Sequence, residues 1–328
     1  MHPLFMLSGA MRRLIAVAAL CGLAACAATG GDRSAVEAGI ARFDAANPHE
    51  THTVRRPDGH GIRVREFGAV QRGVQPTIVM MHGFPDNQHL YDRVVPLLGP
   101  DRHVLTFDFL GWGDSDTPAG QDYPVSSQRI DLQAVVDRLA PGPVVLVVHD
   151  LSGQAGIDWA LDNPERVARL VLLNTYYLPM PTLKAPEAIE FYASRGILRD
   201  LAAWGASKSE SRFRAGVSGQ LSAFLVDEAV RAEYVPRLTR SAATMRPAFF
   251  SSTSHLWDEV RSRDVERARM ARFERPVSVV FGVEDPFLNT GVARAFAALF
   301  PGARLSLVEN AGHYVQLDAP HAVAEAIR

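Results

Sequence analysis

The run Val144-Val145-Leu146-Val147-Val148 is apolar and mostly β-branched, and it stops at His149-Asp150 before Leu151-Ser152-Gly153. A strand covered on both faces reads as such an unbroken run, and the residues after Asp150 open a helical pattern. A sharp strand-to-helix turn lifts the Asp150 carboxylate to the rim of a sheet, at the place where a G-x-S-x-G turn carries serine. That difference in residue type is a difference in chemistry. A serine attacking an sp³ carbon would leave an ether that is hard to reverse. A carboxylate leaves an ester, which water can cleave at its carbonyl to regenerate the acid. Asp150 therefore suits displacement at an alkyl carbon, such as an epoxide carbon or one bearing a halogen. Two plainer readings remain beside it. Asp150 can be the N-cap of the following helix, a role aspartate favours. Ser152 can be a nucleophile, although Asp150 and Gln154 do not give it the G-x-S-x-G frame.

Partners follow downstream. Val277-Ser278-Val279-Val280-Phe281-Gly282 is a second buried-strand pattern and ends in Val283-Glu284-Asp285; Arg304-Leu305-Ser306-Leu307-Val308 is a third and leads to Ala311-Gly312-His313. A lone histidine in a loop is usually surface or packing. A nucleophile, an acid and a histidine after three successive strands, in that order, match a hydrolase triad. Upstream, Thr77-Ile78-Val79-Met80-Met81 runs into His82-Gly83-Phe84-Pro85. The glycine there serves either a tight turn or the close approach of backbone N–H groups to developing charge.

With these residues the chain resembles the α/β-hydrolase superfamily, in its epoxide hydrolase and haloalkane dehalogenase branch. The likeness rests on His82-Gly83-Phe84-Pro85, Asp108-Phe109-Leu110-Gly111-Trp112-Gly113-Asp114-Ser115-Asp116, Val148-His149-Asp150, Gly282-Val283-Glu284-Asp285 and Ala311-Gly312-His313. It covers residues 50–328. The resemblance implies Asp150 as nucleophile, His313 as the base that activates water, and Asp285 as the acid orienting His313, with Glu284 its neighbouring alternative. It implies an oxyanion hole from the backbone N–H groups of Phe84 and Leu151. It implies no metal and no organic cofactor. Two departures matter. Both subfamilies usually place Trp directly after the nucleophile, where this chain has Leu151, and many dehalogenases place Asn after His-Gly, where it has Phe84. Against this, Val148-His149-Asp150 and Gly156-Ile157-Asp158-Trp159-Ala160 read like dehalogenases.

Epoxide opening needs a donor for the departing oxygen, usually tyrosines of a cap. Tyr176, Tyr177, Tyr192 and Tyr234 fall in the stretch expected to form one, and Tyr192 lies where the first ring-opening tyrosine is expected. Near the second expected place stand His255, which can donate to an oxyanion, and Trp257, which can donate to a halide. Cap aromatics are more often pocket lining than catalysts. The leading expectation is thus an epoxide hydrolase acting on a small apolar substrate, with a halogenated substrate as the runner-up. A non-catalytic binding protein on the same scaffold is the reading from a different class.

The elements that must position these residues follow a regular order. Residues 51–56 and 62–67 read as a hairpin around Pro57-Asp58-Gly59. Strands are expected at 77–82, 103–109, 143–149, 167–174, 277–283 and 304–309, and helices near 88–98, 126–140, 153–163, 290–299 and 320–328. This alternation predicts an α/β fold with a mostly parallel, doubly wound sheet. The core is expected at 49–175 and 269–328, and a helical cap at 176–268, inserted after the sixth strand and excluding water from the site. The glycines of Gly111-Trp112-Gly113 read as turn geometry.

The chain has 328 residues, 47% of them hydrophobic, and a formal net charge of −2 with no long basic run. Nucleic acid is therefore not expected as a partner. Met11-Arg12-Arg13, the apolar run 14–25 and Cys26 describe a signal peptide over 1–26, too short to span a bilayer comfortably. Leu23-Ala24-Ala25-Cys26 resembles a bacterial lipobox, which implies export, acylation of Cys26 and a cell-envelope lipoprotein held to the membrane by that anchor alone; ordinary cleavage to a soluble periplasmic or secreted form is the alternative. Residues 27–48 are expected as a tether and a helix leading into the domain. The only two cysteines, Cys21 and Cys26, lie in the targeting segment, so the rest of the chain has no cysteine for a disulfide or metal site. His49 and His52 read as surface residues rather than metal ligands.

Overall fold

The computed structural model describes residues 33–328; the expected signal segment, Cys21 and Cys26 lie outside the described residues. Among the described residues, eight strands form one sheet in the order β1-β2-β4-β3-β5-β6-β7-β8. They are β1 (His49–Arg55), β2 (Gly61–Phe67), β3 (Thr77–Met81), β4 (Val104–Phe107), β5 (Val144–Asp150), β6 (Val167–Thr175), β7 (Val277–Gly282) and β8 (Arg304–Val308). β1 and β2 are antiparallel to their neighbours, and every pairing from β4 to β8 is parallel. The hairpin between β1 and β2 turns at Gly59, whose φ of 88° favours glycine and whose N–H donates to the Arg56 carbonyl.

Every residue of β3, β4, β5 and β7 is buried, as the unbroken apolar runs require when helices cover both faces. The edges differ: β1 and β8 mix partly buried and exposed positions. The chain adds β4 on one side of β3 and then crosses to add β5 on the other. Such a reversal opens a crevice at the carboxyl ends of the two strands, the place where open α/β sheets bind ligands.

Helices Val125–Leu139, Ser152–Asp162, Thr290–Leu299 and Pro320–Ile327 alternate with the strands as expected. The helix expected near 88–98 is instead a 3-10 turn at Gln88–Tyr91 and one turn at Val95–Leu98. Pro96 has no N–H for the carbonyl of Asp92. The Gln88 N–H and the Asp92 carboxylate are also taken, by Asp108 and by Arg65 and Arg237 respectively.

Between β6 and β7 run the helices Glu187–Ala193, Ile197–Ser207, Glu210–Phe224, Glu228–Leu238, Arg246–Ser262 and Arg267–Met270. Buried polar contacts fasten this insertion to the core. Arg263 pairs with Asp158 and donates to Gln154, and Arg237 pairs with Asp92. Ahead of β1, the helix Arg33–Ala46 packs on Glu228–Leu238 and sets Phe43 edge-on to Phe67.

Candidate active site

β5 and the helix after it meet in a turn that strains its own backbone. Asp150 has φ 48°, in the left-handed region that L-residues avoid. The turn is held by Thr175, whose hydroxyl donates to the Asp150 carbonyl at 2.6 Å. A Cβ on Gly153 would come within 1.8 Å of that same hydroxyl oxygen, so only glycine lets the helix start so close to β6. Leu151 rather than Asp150 occupies the N-cap position of Ser152–Asp162, and it makes no side-chain cap.

The carboxylate of Asp150 is instead held from two sides. Its Oδ2 accepts the Phe84 N–H at 3.1 Å, and the Leu151 N–H also bonds the group. Gly83 permits the first contact, since a Cβ there would meet the His149 ring at 2.5 Å. Oδ1 faces Nε2 of His313 at 3.9 Å. Burial raises the Asp150 pKa to about 7, with the charges of Asp86 and Asp285 adding to the rise and His313 and the Leu151 N–H opposing it.

His313 Nδ1 bonds Asp285 Oδ2 at 2.7 Å. The other Asp285 oxygen accepts the N–H groups of Phe287 and Leu288, and Asn174 donates its amide to Oδ2 at 3.1 Å. Burial works to raise the Asp285 pKa, but His313 and these donors outweigh it and the net shift is downward. Burial likewise works to lower the His313 pKa, and Asp285, Asp150 and Asp86 outweigh it upward. Glu284, the alternative acid, is exposed. Ser152 is fully buried, with its hydroxyl donating to the carbonyl of His149 and accepting that residue's N–H, and it is not a wall of the cavity described below.

A further layer lies beneath this group. His149 Nε2 donates to the His313 carbonyl at 3.0 Å, and its Nδ1 lies 3.9 Å from Asp86. His82 accepts the Phe109 N–H on Nε2, so Nδ1 donates to Asp86 at 3.1 Å. Burial keeps His149 neutral by pushing its pKa well below the usual value, and it raises that of Asp86. Sequence reasoning named neither Asp86 nor Asn174. Asn174 had a signal: like Asp150, it is a polar residue closing an apolar strand run.

Asp150 and His313 open onto a cavity walled mostly by apolar groups that include Phe84, Leu151, Ile189, Phe224 and Leu256. Of Tyr177, Tyr192, His255 and Trp257, only Trp257 lines it, and its indole N–H donates to Glu190 at 3.0 Å. Tyr192 packs edge-on among Phe191, Phe249 and Phe250. His255 bonds Asp122 at 3.0 Å, and the Tyr177 hydroxyl donates to Asp158 at 2.6 Å. None of these three is a wall of the cavity. Tyr234 stacks against Arg237, also outside it. Tyr176 does form part of the wall, and burial followed by the charges of Asp150 and Glu259 holds its phenol protonated.

The loop Asp108–Gly113 turns as its glycines suggest. The Asp108 carboxylate accepts the N–H groups of Gln88 and Asp114, and Gly111 has φ 87°. Away from the cavity, donor atoms of Glu50, His52 and Glu66 lie within 4.8 Å of one another. His52 bonds the buried Glu66 at 2.6 Å, and Arg72 already sets a guanidinium against that carboxylate. His49 bonds the Asn47 carbonyl and packs its ring, tilted, against Phe67.

A match to the alpha/beta hydrolase fold family spans residues 76–320. The chain is 26% identical to a cis-3-alkyl-4-alkyloxetan-2-one decarboxylase of Xanthomonas campestris pv. campestris, over 76% of this chain and 86% of that protein. It is 29% identical to a haloalkane dehalogenase of Mycolicibacterium paratuberculosis, over 77% and 82%. Among solved structures, the epoxide hydrolase CorEH shares the fold with a TM-score of 0.64 at 21% identity, over 84% of this chain and 95% of that one.

Proposed function

The chain belongs to the alpha/beta hydrolase fold family, and from that membership we propose that it opens a strained cyclic ether through an ester on Asp150. One observation carries this reading. Oδ2 of the Asp150 carboxylate accepts the Phe84 N–H, the Leu151 N–H also bonds the group, and Oδ1 faces a histidine that is itself held by a buried acid. In the first step Oδ1 attacks an epoxide carbon, the carbon–oxygen bond breaks, and the ring oxygen takes a proton. Tyr176 is the donor among the cavity walls, since its phenol is buried and protonated. In the second step His313 Nε2 takes a proton from water, and the hydroxide adds to the ester carbonyl. The charge that develops on Oδ2 meets the N–H groups of Phe84 and Leu151. Collapse expels the diol, which recovers the proton from His313, and the proton left on the Asp150 carboxyl group returns to Tyr176, so that carboxylate and phenol are both restored. Asp285 stabilises the imidazolium between these events and fixes the tautomer that leaves Nε2 free.

Two relatives favour second readings through the same ester: one is named a haloalkane dehalogenase and one an oxetanone decarboxylase. Halide release finds less support in the site, because Leu151 has no side-chain donor and the Trp257 indole is engaged by Glu190. Supplying styrene-type epoxides, bromoalkanes and a dialkyl oxetan-2-one, and measuring diol, bromide and alkene, separates the three. The mechanism itself is tested with His313→Gln: the Asp150 peptide gains the alkyl group, the whole mass of an epoxide or that of a bromoalkane less HBr, and the enzyme does not turn over. If no adduct forms with any of the three classes, the ester route is wrong.

A further inference from the structure

Among the described residues, large exposed apolar side chains are scattered, with one exception. Ile197, Leu198, Leu201 and Trp204 are 78%, 60%, 59% and 64% exposed, and all four lie on the helix Ile197–Ser207. Their spacing, one turn and then another along one side, makes a continuous stripe rather than isolated residues. The opposite side is occupied: Ala203 is buried, and the helix packs on Glu187–Ala193, Glu210–Phe224 and Arg246–Ser262. Cations flank the stripe. Arg195 precedes it, Arg212 follows, and the Lys208 ammonium sits 5.3 Å from the centre of the Trp204 ring. The acids nearby, Asp200, Glu210 and Asp258, are each paired with an arginine.

The way the chain enters the structure says what covers this face. Arg33 and Glu37 share a groove with Glu210, Ser211 and Arg214, so the first described helix begins beside the residues that follow the apolar helix. Arg33 stands just seven positions after Cys26, a reach of at most about 25 Å. The segment before them carries Arg12-Arg13, the apolar run 14–25 and the Leu23-Ala24-Ala25-Cys26 motif. An N-terminus held by lipid therefore brings this side of the molecule to a bilayer. We propose that the helix Ile197–Ser207 is a membrane-docking surface. It lies in the plane of an anionic bilayer, with Ile197, Leu198, Leu201 and Trp204 among the acyl chains and Arg195, Lys208 and Arg212 at the headgroups.

The test is independent of the reaction catalysed. The full-length chain is placed on phosphatidylglycerol–phosphatidylethanolamine vesicles whose acyl chains carry bromine, and tryptophan emission is read. Trp112 and Trp159 are buried and Trp257 lines the cavity, so Trp204 is the indole that lipid bromine can reach. The expected result is a blue shift and quenching that Trp204→Phe removes. The Leu198→Asp/Leu201→Asp variant is expected to lose the quenching while keeping the unfolding midpoint and the circular dichroism of the parent. Emission unchanged on vesicles, or quenching that survives Trp204→Phe, overturns the proposal. So does a dimer in solution that Leu201→Asp dissociates when vesicles give no quenching, since the stripe would then belong to a second copy.

Discussion

The carboxyl edge of the sheet and the helical insertion above it answer to different rules. At the sheet edge, Asp150, Asp285, His313 and the N–H groups of Phe84 and Leu151 converge from four separate loops. In the insertion, Tyr192, His255 and Tyr177 are engaged elsewhere, and Trp257 reaches the cavity with its N–H already given away. A parallel strand fixes where its last residue must lie, because register and spacing to the neighbouring strands are set by the ladder. A helix gives no such guarantee. Each residue advances the direction of its side chain by about 100°, so aim depends on how the helix is rotated against its neighbours.

The largest effect should come from the sheet edge. Asp150→Asn keeps the shape of the turn and removes the attacking oxygen, so turnover should fall by at least about 10³-fold. The same substitution should make the fold more stable at alkaline pH. An acid whose pKa rises from 3.8 unfolded to about 7 folded penalises the folded state once ionised. The penalty is absent below 3.8, grows as pH rises toward 7 and is complete above it, where it amounts to on the order of 4 kcal/mol. The substituted amide carries no charge, so the gain in unfolding midpoint should be large at about pH 8.5 and vanish near about pH 4. A variant that loses activity without gaining stability under alkaline conditions would mean that the buried carboxylate is not costly.

A smaller loss is expected one residue removed from the reacting atoms. Asp285→Asn retains a hydrogen-bonding group beside His313 but removes the charge, and activity should fall by roughly 10²–10⁴-fold. The pH dependence discriminates its role. Asp285 is the largest of the effects raising the His313 pKa, and the base must be neutral to accept a proton from water. Without that carboxylate, the pH at which ester hydrolysis falls off in acid should move downward even as the rate drops. The readout is single-turnover breakdown of the alkyl-enzyme across pH, since initial attack also depends on ionised Asp150. A rate that falls with no movement of the acid limb would assign Asp285 to packing.

The contrast also explains what the sequence made legible. Strand ends were readable because an apolar run stops where burial stops, and Asp150, Asp285 and Gly312-His313 all follow such stops. The hairpin at Gly59 was readable because its turn needs a positive φ. The broken helix at 88–98 was less so, since long-range claims on Gln88 and Asp92 by Asp108, Arg65 and Arg237 decide it. Asp86 was opaque for the same reason: its partner His82 is local, but its neighbour His149 comes from another strand.

The smallest effects should come from the cap aromatics, and there the comparison can be broken. Tyr192→Phe removes only a hydroxyl from a ring packed among phenylalanines, so kcat should stay within about twofold of the parent. Trp257→Phe removes a cavity wall and leaves Glu190 without its indole donor. Lost wall area acts on ground state and transition state alike, so KM should rise by a few-fold with kcat nearly constant. Tyr176→Phe is the informative contrast, because Tyr176 is the one tyrosine among the cavity walls and the substitution removes its hydroxyl while keeping the ring. With an epoxide, the alkylation rate should drop well below that of Tyr192→Phe; with a bromoalkane, where no oxygen needs a proton, it should hardly change. A substrate-independent loss in Tyr176→Phe, or a larger loss in Tyr192→Phe, would mean that the ring oxygen finds its proton from another element of the insertion.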